Sequence, residues 1–239
     1  MLKVTDVKKT FFKGTVNEKK AIRGISLTLN DGDFCTVIEI DGKDVTRMPE
    51  YKRAKYIGRV FQDPMKGTAA GMQLQENLML ADRRGLCHRL RWAFTTSREQ
   101  YYQNLVARLG LGLENRMTAR IGLFSGGQRQ AVTLLMATMR RPEVLLLDEP
   151  TAALDPKTAE TVLNLVNQIV TEQKLTTLMI THNMRDALRL GNRLIMMNDG
   201  KIIADYNAEQ KKELTIDMLL RKFEEVTDDV SDRMMLGGK

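Results

Sequence analysis

The chain's 239 residues suffice for one large domain, or a domain with a subdomain, and for a real buried core. With 43% hydrophobic and 28% charged residues it has the balance of a soluble globular protein, and no apolar run approaches the ~20 residues that cross a bilayer. A net charge of +7 leaves nucleic acid, an acidic membrane surface or no special partner open, while two distant cysteines, Cys35 and Cys87, suit packing roles in a reduced, cytosolic setting.

No charged-then-apolar pattern with a cleavage site opens the chain, so no signal peptide is expected. Residues 2–7 alternate with period two and read as a strand, as do 21–29 after a loop around Gly14 to Lys20. Asn30-Asp31-Gly32-Asp33 is a turn signal before an apolar strand at 34–38, and 39–45 then reads as a tight hairpin. Helical spacing takes over between Gln73 and Leu113, clearest over 99–109. After Gly122 the pattern alternates: helix 126–140, strand 143–148, helix 157–172, strand 175–180, helix 183–190, strand 193–197 and a hairpin over 198–204. Strands alternating with helices predict a mostly parallel sheet covered on both faces. The tail beyond Val226 is polar and expected to fray. Arg83, Arg84, His88, Arg89 and Arg91, interleaved with Leu86, Leu90 and Trp92, read as the solvated face of an amphipathic helix or as a surface near lipid headgroups.

Two stretches carry chemistry. In Val144-Leu145-Leu146-Leu147-Asp148-Glu149-Pro150 an apolar run suits a strand buried on both faces, and two carboxylates emerge at its C-terminal end. That end is where open α/β sheets bind ligands. One carboxylate can hold Mg²⁺, and its neighbour, pointing the other way along the pleat, can orient a water toward a phosphate. Alone, the run is equally a strand leading into an acidic loop. In Phe124-Ser125-Gly126-Gly127-Gln128-Arg129-Gln130, Ser125 is a good helix N-cap. Two glycines in the first turn admit a close backbone approach, and free N–H groups with the helix dipole favour an anion. A serine cap with flexible glycines would explain Ser-Gly-Gly by itself; it does not explain the acidic strand following about 20 residues on.

Together these residues resemble the ATP-binding cassette family. Phe124 to Gln130 is similar to its signature motif, with Phe for the usual Leu, and Asp148-Glu149-Pro150-Thr151-Ala152-Ala153-Leu154-Asp155 to the end of Walker B plus the D-loop. Ile180-Thr181-His182-Asn183 resembles the switch-histidine segment, and Val60-Phe61-Gln62-Asp63-Pro64 the Q-loop. Phe11, or Phe12 in the alternate register, stands where the family stacks an aromatic on adenine. Order and spacing agree over roughly residues 2 to 204.

The resemblance implies a P-loop NTPase-like α/β fold: a mostly parallel core sheet, an N-terminal antiparallel β-subdomain and an inserted α-helical subdomain. Residues 1–62 and 141–226 would form the core with the β-subdomain, 63–140 the helical subdomain with the signature motif, and 227–239 a polar tail. It implies ATP and Mg²⁺ as cofactors: Asp148 supporting Mg²⁺, Glu149 as general base, His182 on the γ-phosphate, and Gln62 sensing Mg²⁺ and the attacking water. Ser125, Gly126, Gly127 and Gln128 would bind the γ-phosphate held by a second cassette, with Asp155 at the dimer seam.

One part is missing. The family places G-x-x-x-x-G-K-[S/T] right after the strand ending in Val37-Ile38, where glycines and Lys cradle the phosphates and the hydroxyl meets Mg²⁺. No such motif occurs in the chain, and Ile38 runs directly into Glu39. Some 20–25 residues of loop and helix are gone from a connection that ordinarily needs a dozen or more. Three explanations stand: a mobile loop carried by the natural protein but left out of this sequence, a deletion that ends hydrolysis, or a degenerate partner in an asymmetric pair. The retained Glu149, His182 and Ser125-Gly126-Gly127 favour an ATPase in nature, conditional on the loop.

Resemblance further implies the separate ATPase subunit of a bacterial importer, of the amino-acid type, lying at the inner face of the cell membrane. Its expected partners are a second cassette (a homodimer), a transmembrane permease docked on the Q-loop and the 65–120 segment, and a separate substrate-binding protein. DNA-repair relatives carry long coiled coils, absent between Gln62 and Ser125, and no aromatic-interleaved basic groove points to nucleic acid. The alternative is a nucleotide-dead scaffold or regulatory cassette.

Overall fold

The computed structural model describes residues 2–11, 19–30, 39–40, 43–44, 49–86 and 95–225. The strand expected at 34–38, most of the basic cluster (His88, Arg89, Arg91) and the tail beyond 226 lie outside them.

The N-terminal part is antiparallel. Strands β1 (Leu2–Phe11) and β2 (Lys19–Leu29) pair along their length, and β1 also pairs with β3 (Glu39–Ile40), which forms the expected hairpin with β4 (Lys43–Asp44). A short helix α1 (Glu50–Arg53) leads to β5 (Ile57–Val60), a strand not anticipated from the sequence. With only four residues it is too short to show a period.

The core sheet is parallel, in the order β5, β6 (Val144–Asp148), β7 (Thr176–Ile180). Parallel neighbours need crossovers, supplied here by helices. Between β6 and β7 runs α5 (Pro156–Gln173), capped by Asp155 with Pro156 at its first position and stopped by Lys174 at φ +48°. Preceding β6 is α4 (Gly126–Thr138), ending before Pro142. Val60, Leu145 and Leu147 pack with Leu134 and Ala137 of α4 and Val162, Val166 and Ile169 of α5 into one cluster. The glycine at 58 is required there: a Cβ would lie 2.7 Å from the Ala137 carbonyl oxygen.

The segment between β5 and β6 builds a second core. Helices α2 (Leu74–Asp82) and α3 (Thr96–Ala107) bury Leu74, Leu78, Tyr102 and Val106 against Ala131, Val132 and Leu135 of α4, with Leu113 and Ile121 closing the cluster. Arg84 is half-buried and donates to the carbonyls of Ala137 (3.0 Å) and Arg140 (2.8 Å), satisfying the end of α4. It is therefore a capping residue and not part of a solvated basic face.

Past β7 come α6 (Met184–Arg189) and the antiparallel pair β8 (Leu194–Asn198) and β9 (Lys201–Tyr206). Helix α7 (Ala208–Glu213) and a helical stretch at 216–225 were not anticipated; Leu219 of the latter packs on Leu194 and Met196. No helix among the described residues is long and apolar enough to cross a membrane.

Candidate functional site

The parallel register brings three of the expected residues together. β6 ends at Asp148, and Glu149 follows in the left-handed region at φ +44°, its N–H bonded to the Ile180 carbonyl at the end of β7 (3.0 Å). A non-glycine residue held in that conformation is strained by about 1–3 kcal/mol, and such strain collects at functional sites. The turn reaims the carboxylate. Gln62, just past β5, donates Nε2 to Glu149 Oε2 (3.0 Å), and His182, just past β7, places Nε2 2.5 Å from Glu149 Oε1. Glu149 is shielded (17% exposed) while His182 stands in solvent (85%), so one side of the cluster is open to a ligand. Asn183 caps α6 through Arg185 N–H and Asp186 N–H, fixing the chain just after His182. Glu149, His182, Thr151 and Asn183 line a cleft of about 670 Å³.

Asp148 points to the other face and takes a partner that sequence reading missed. Arg59 of β5 approaches its Oδ2 at 3.3 Å, with the guanidinium 4.5 Å over the Phe61 ring. Both side chains are substantially exposed, so this pair is weak and displaceable. Among the described residues no group of three His, Cys, Asp or Glu could hold a metal ion by itself. A Mg²⁺ ion nonetheless fits a single carboxylate when phosphate oxygens and water complete its shell, and Asp148 offers that carboxylate.

The glycine-rich turn sits elsewhere. Ser125 Oγ accepts from Gln128 N–H (3.2 Å), and Gln128 Oε1 accepts from Ser125 N–H (3.1 Å), a reciprocal capping box. The Gln128 amide is thus engaged in the helix start. Gly127 lies against α5, where a Cβ would come 1.9 Å from Thr158 Cγ2. Ser125, Gly127, Gln128 and Thr158 line a second cleft of about 240 Å³, separate from that of Glu149. Asp155 caps α5 through Thr158 N–H (3.1 Å); the Thr158 hydroxyl first, and then that backbone bond, hold its carboxyl below the usual range. Phe11 ends β1, and its side chain lies outside the described residues.

A further unpredicted link joins the two regions. Gln130 of α4, 1% exposed, donates Nε2 to the Phe61 carbonyl (3.1 Å), the residue before Gln62. The glutamine repeat in Gln128-Arg129-Gln130 was its only trace in the sequence.

A parallel sheet with two carboxylates at its C-terminal edge, one of them on a strained backbone, a helical insertion and a capped glycine turn on α4 define an α/β cassette of the P-loop NTPase type. Residues 26–152 match the ABC transporter family. A tyrosine transport ATP-binding protein of Clostridioides difficile is 34% identical, the match spanning 94% of this chain and 99% of that protein. A thiamine import ATP-binding protein of Chelativorans sp. is 36% identical over 70% of this chain and 63% of its own length. Among solved structures, a dimeric ATP-binding cassette in a post-hydrolysis state with ADP and Pi superposes with a TM-score of 0.71 at 23% identity, covering 87% of this chain and 99% of that one. The chain belongs to the ABC transporter family. It is an ATP-binding subunit of a transporter, and its enzymatic class is ATPase for a form that carries the phosphate loop.

The match to the tyrosine transport protein runs over 249 positions yet takes in only 94% of 239 residues, about 225. That relative therefore carries about two dozen residues, within the aligned span, that this chain lacks.

Proposed function

We propose that the chain energises a membrane importer of an amino-acid-like solute by binding and hydrolysing ATP, as one of two cassettes docked beneath a transmembrane permease. The observation that carries this reading is the convergence of Gln62 and His182 on the two oxygens of Glu149. A shielded carboxylate, gripped from both flanks at the edge of a parallel sheet, suits the orientation of a water for in-line attack on a phosphoryl group. In this reading Glu149 is the water-orienting base, His182 meets the γ-phosphate, and Gln62 reports the site to the permease side. Asp148 would hold Mg²⁺, which when bound neutralises phosphate charge. Ser125, Gly126, Gly127 and Gln128 would face the nucleotide of the second cassette, Asp155 the seam between them, and Phe11 the adenine. The division into a core with β-subdomain (1–62, 141–226), a helical subdomain (63–140) and a tail belongs to the same proposal, as do a cytoplasmic, membrane-peripheral place and a separate substrate-binding protein. The C. difficile relative, a tyrosine transport ATP-binding protein, supports the solute class.

A second reading rests on the absent G-x-x-x-x-G-K-[S/T]: a cassette that docks on the permease without holding nucleotide. ATP binding and turnover of the 239-residue chain, and of a form with the missing segment restored, separate the two. The ATPase reading expects turnover in the restored form, abolished by Glu149→Gln with ATP still bound. Absence of binding in both forms would establish the scaffold.

A further inference from the structure

Helix α6 borders the site yet is poorly held by the elements around it. None of its six residues is buried. The cleft of about 670 Å³ lies between α6, which lines it with Arg185, Asp186 and Arg189, and α5, which lines it with Ala159, Glu160 and Leu163. The ion pair from Arg189 to Glu160 is 3.9 Å long with both side chains exposed, so it holds little. The apolar contacts of α6 go elsewhere. Met184, Ala187 and Leu188, spaced to share one helix face, pack on Leu194, Met196 and Leu219. Those three belong to β8 and to the helical stretch at 216–225, a satellite core apart from the one beneath the parallel sheet.

A buried cation locks that contact. Lys211 of α7, 6% exposed, donates its ammonium to the carbonyls of Leu190 and Gly191 (2.9 Å to the latter), the two residues that follow α6. A helix leaves its last carbonyls without partners, and a cation there also meets the negative end of the helix dipole. Among the described residues no carboxylate pairs with Lys211, and burial pushes its pKa down to about 8. A buried ammonium without a counter-ion is a costly way to satisfy two carbonyls. What it does here is fix one end of a helix that nothing buries. The other end is tied to the site. Thr181 Oγ1 accepts from Asn183 N–H (3.1 Å), Asn183 caps α6, and His182 stands between them with Nε2 on Glu149. Six residues of helix span about 9 Å, so a shift at Leu190 reaches His182 through less than two turns.

We infer that Lys211 is a positioning residue for the Glu149–His182 pair: by anchoring the C-terminal end of α6 to α7 it holds His182, just before the other end, against Glu149. The part His182 plays in hydrolysis rests on the function proposed above; the anchoring does not, and it is tested without nucleotide.

The chain has two histidines, so His88→Gln leaves the ring signals of His182 alone in an NMR spectrum. Glu149→Gln displaces those signals by removing the carboxylate beside Nε2, and the size of the displacement measures the contact. In Lys211→Met the displacement should fall at least about twofold, and amides over 183–190 should exchange at least about tenfold faster while those of β6 and β7 keep their rates. Lys211→Arg, which still donates to both carbonyls, should restore the displacement. Lys211→Gln, uncharged and shorter, gives the same reading as the methionine variant should that one not fold. Leu113→Ala, in the separate core of the helical insertion, lowers stability without loosening α6 and should leave the displacement intact. An unchanged displacement in Lys211→Met, an equal fall in Leu113→Ala, or no recovery in a folded Lys211→Arg would overturn the inference. In ATP hydrolysis by the chain, Lys211→Met should lower kcat at least about fivefold with KM within about twofold; an unchanged kcat would overturn the positioning role. No hydrolysis by the unaltered chain would defeat the ATPase reading of the 239-residue form, and the NMR result would still uphold or overturn the anchoring.

Discussion

Replacing Gly127 by alanine measures how tightly the first turn of α4 is held against α5. The added Cβ would lie 1.9 Å from Thr158 Cγ2, while Thr158 Cβ and Oγ1 would be 3.4 Å and 3.9 Å away. The first distance forces a helix or a stiff β-branched side chain to move; the other two are ordinary contacts. Overpacking of this kind costs about 1–3 kcal/mol, against about 0.5–1 kcal/mol that alanine gains over glycine in a helix. Gly127→Ala should therefore lose up to about 2.5 kcal/mol, or up to roughly 10 °C in Tm for a chain of this size. Thr158→Ser removes only the offending methyl. In that background Gly127→Ala should cost nothing or stabilise slightly, a coupling of about 1–3 kcal/mol in a double-mutant cycle read by urea unfolding. An unchanged cost in the serine background would refute the reasoning, because the clash would not be the source of the loss.

Three further outcomes follow from the geometry. Ser125→Ala removes the acceptor for Gln128 N–H and should cost about 0.5–2 kcal/mol, seen as a lower midpoint in chemical unfolding. Gln130→Met should lose less than about 1 kcal/mol, since it also relieves a buried Oε1 without a partner, yet it frees the Phe61 carbonyl and should speed amide exchange over 62–68. Lys211 is buried, and its ammonium donates to the carbonyls of Leu190 and Gly191 while burial pushes its pKa down to about 8. Between pH 8 and the ordinary lysine value of 10.5 the unfolded chain holds a proton that the folded chain has released. Stability should therefore gain a contribution that grows with pH through that window, and Lys211→Met should remove that part of the slope; an identical pH profile for the variant would show that Lys211 keeps its proton when folded.

Much of this fold was legible because its signals are local. The capping box at Ser125, the cap and proline at Asp155-Pro156, and the apolar run of β6 each mark an element by its own chemistry, and the structure places each within a residue or two. β5 was not legible because its identity comes from pairing with β6, not from its four residues. The site divides the same way. Glu149 and His182 follow strands that could be read, so their meeting could be expected; Gln62 follows one that could not, and only its place in a motif pointed to it. Arg59 was invisible, because its partner is 89 residues away and is reached only through strand register. Arg84 looked like one more surface charge until the end of α4 was found to need its guanidinium.

What holds Glu149 in place bears on which functions can be lost separately. Its backbone is fixed by Ile180, its carboxylate by Gln62 and His182, and His182 is followed by the Asn183 cap of α6. Every one of these anchors lies on β5, β6, β7 or the turns just after them. None belongs to the junction at 38/39, where the family resemblance expects the phosphate loop. The groups suited to orient a water and the groups that would grip the phosphates are thus carried by different parts of the chain. Phosphate grip depends on backbone N–H groups and a lysine, which no neighbouring side chain replaces in kind. Absence of the loop should therefore weaken nucleotide binding far more than it disturbs the carboxylate cluster, so the geometry around Glu149 can persist in a chain that no longer turns over ATP.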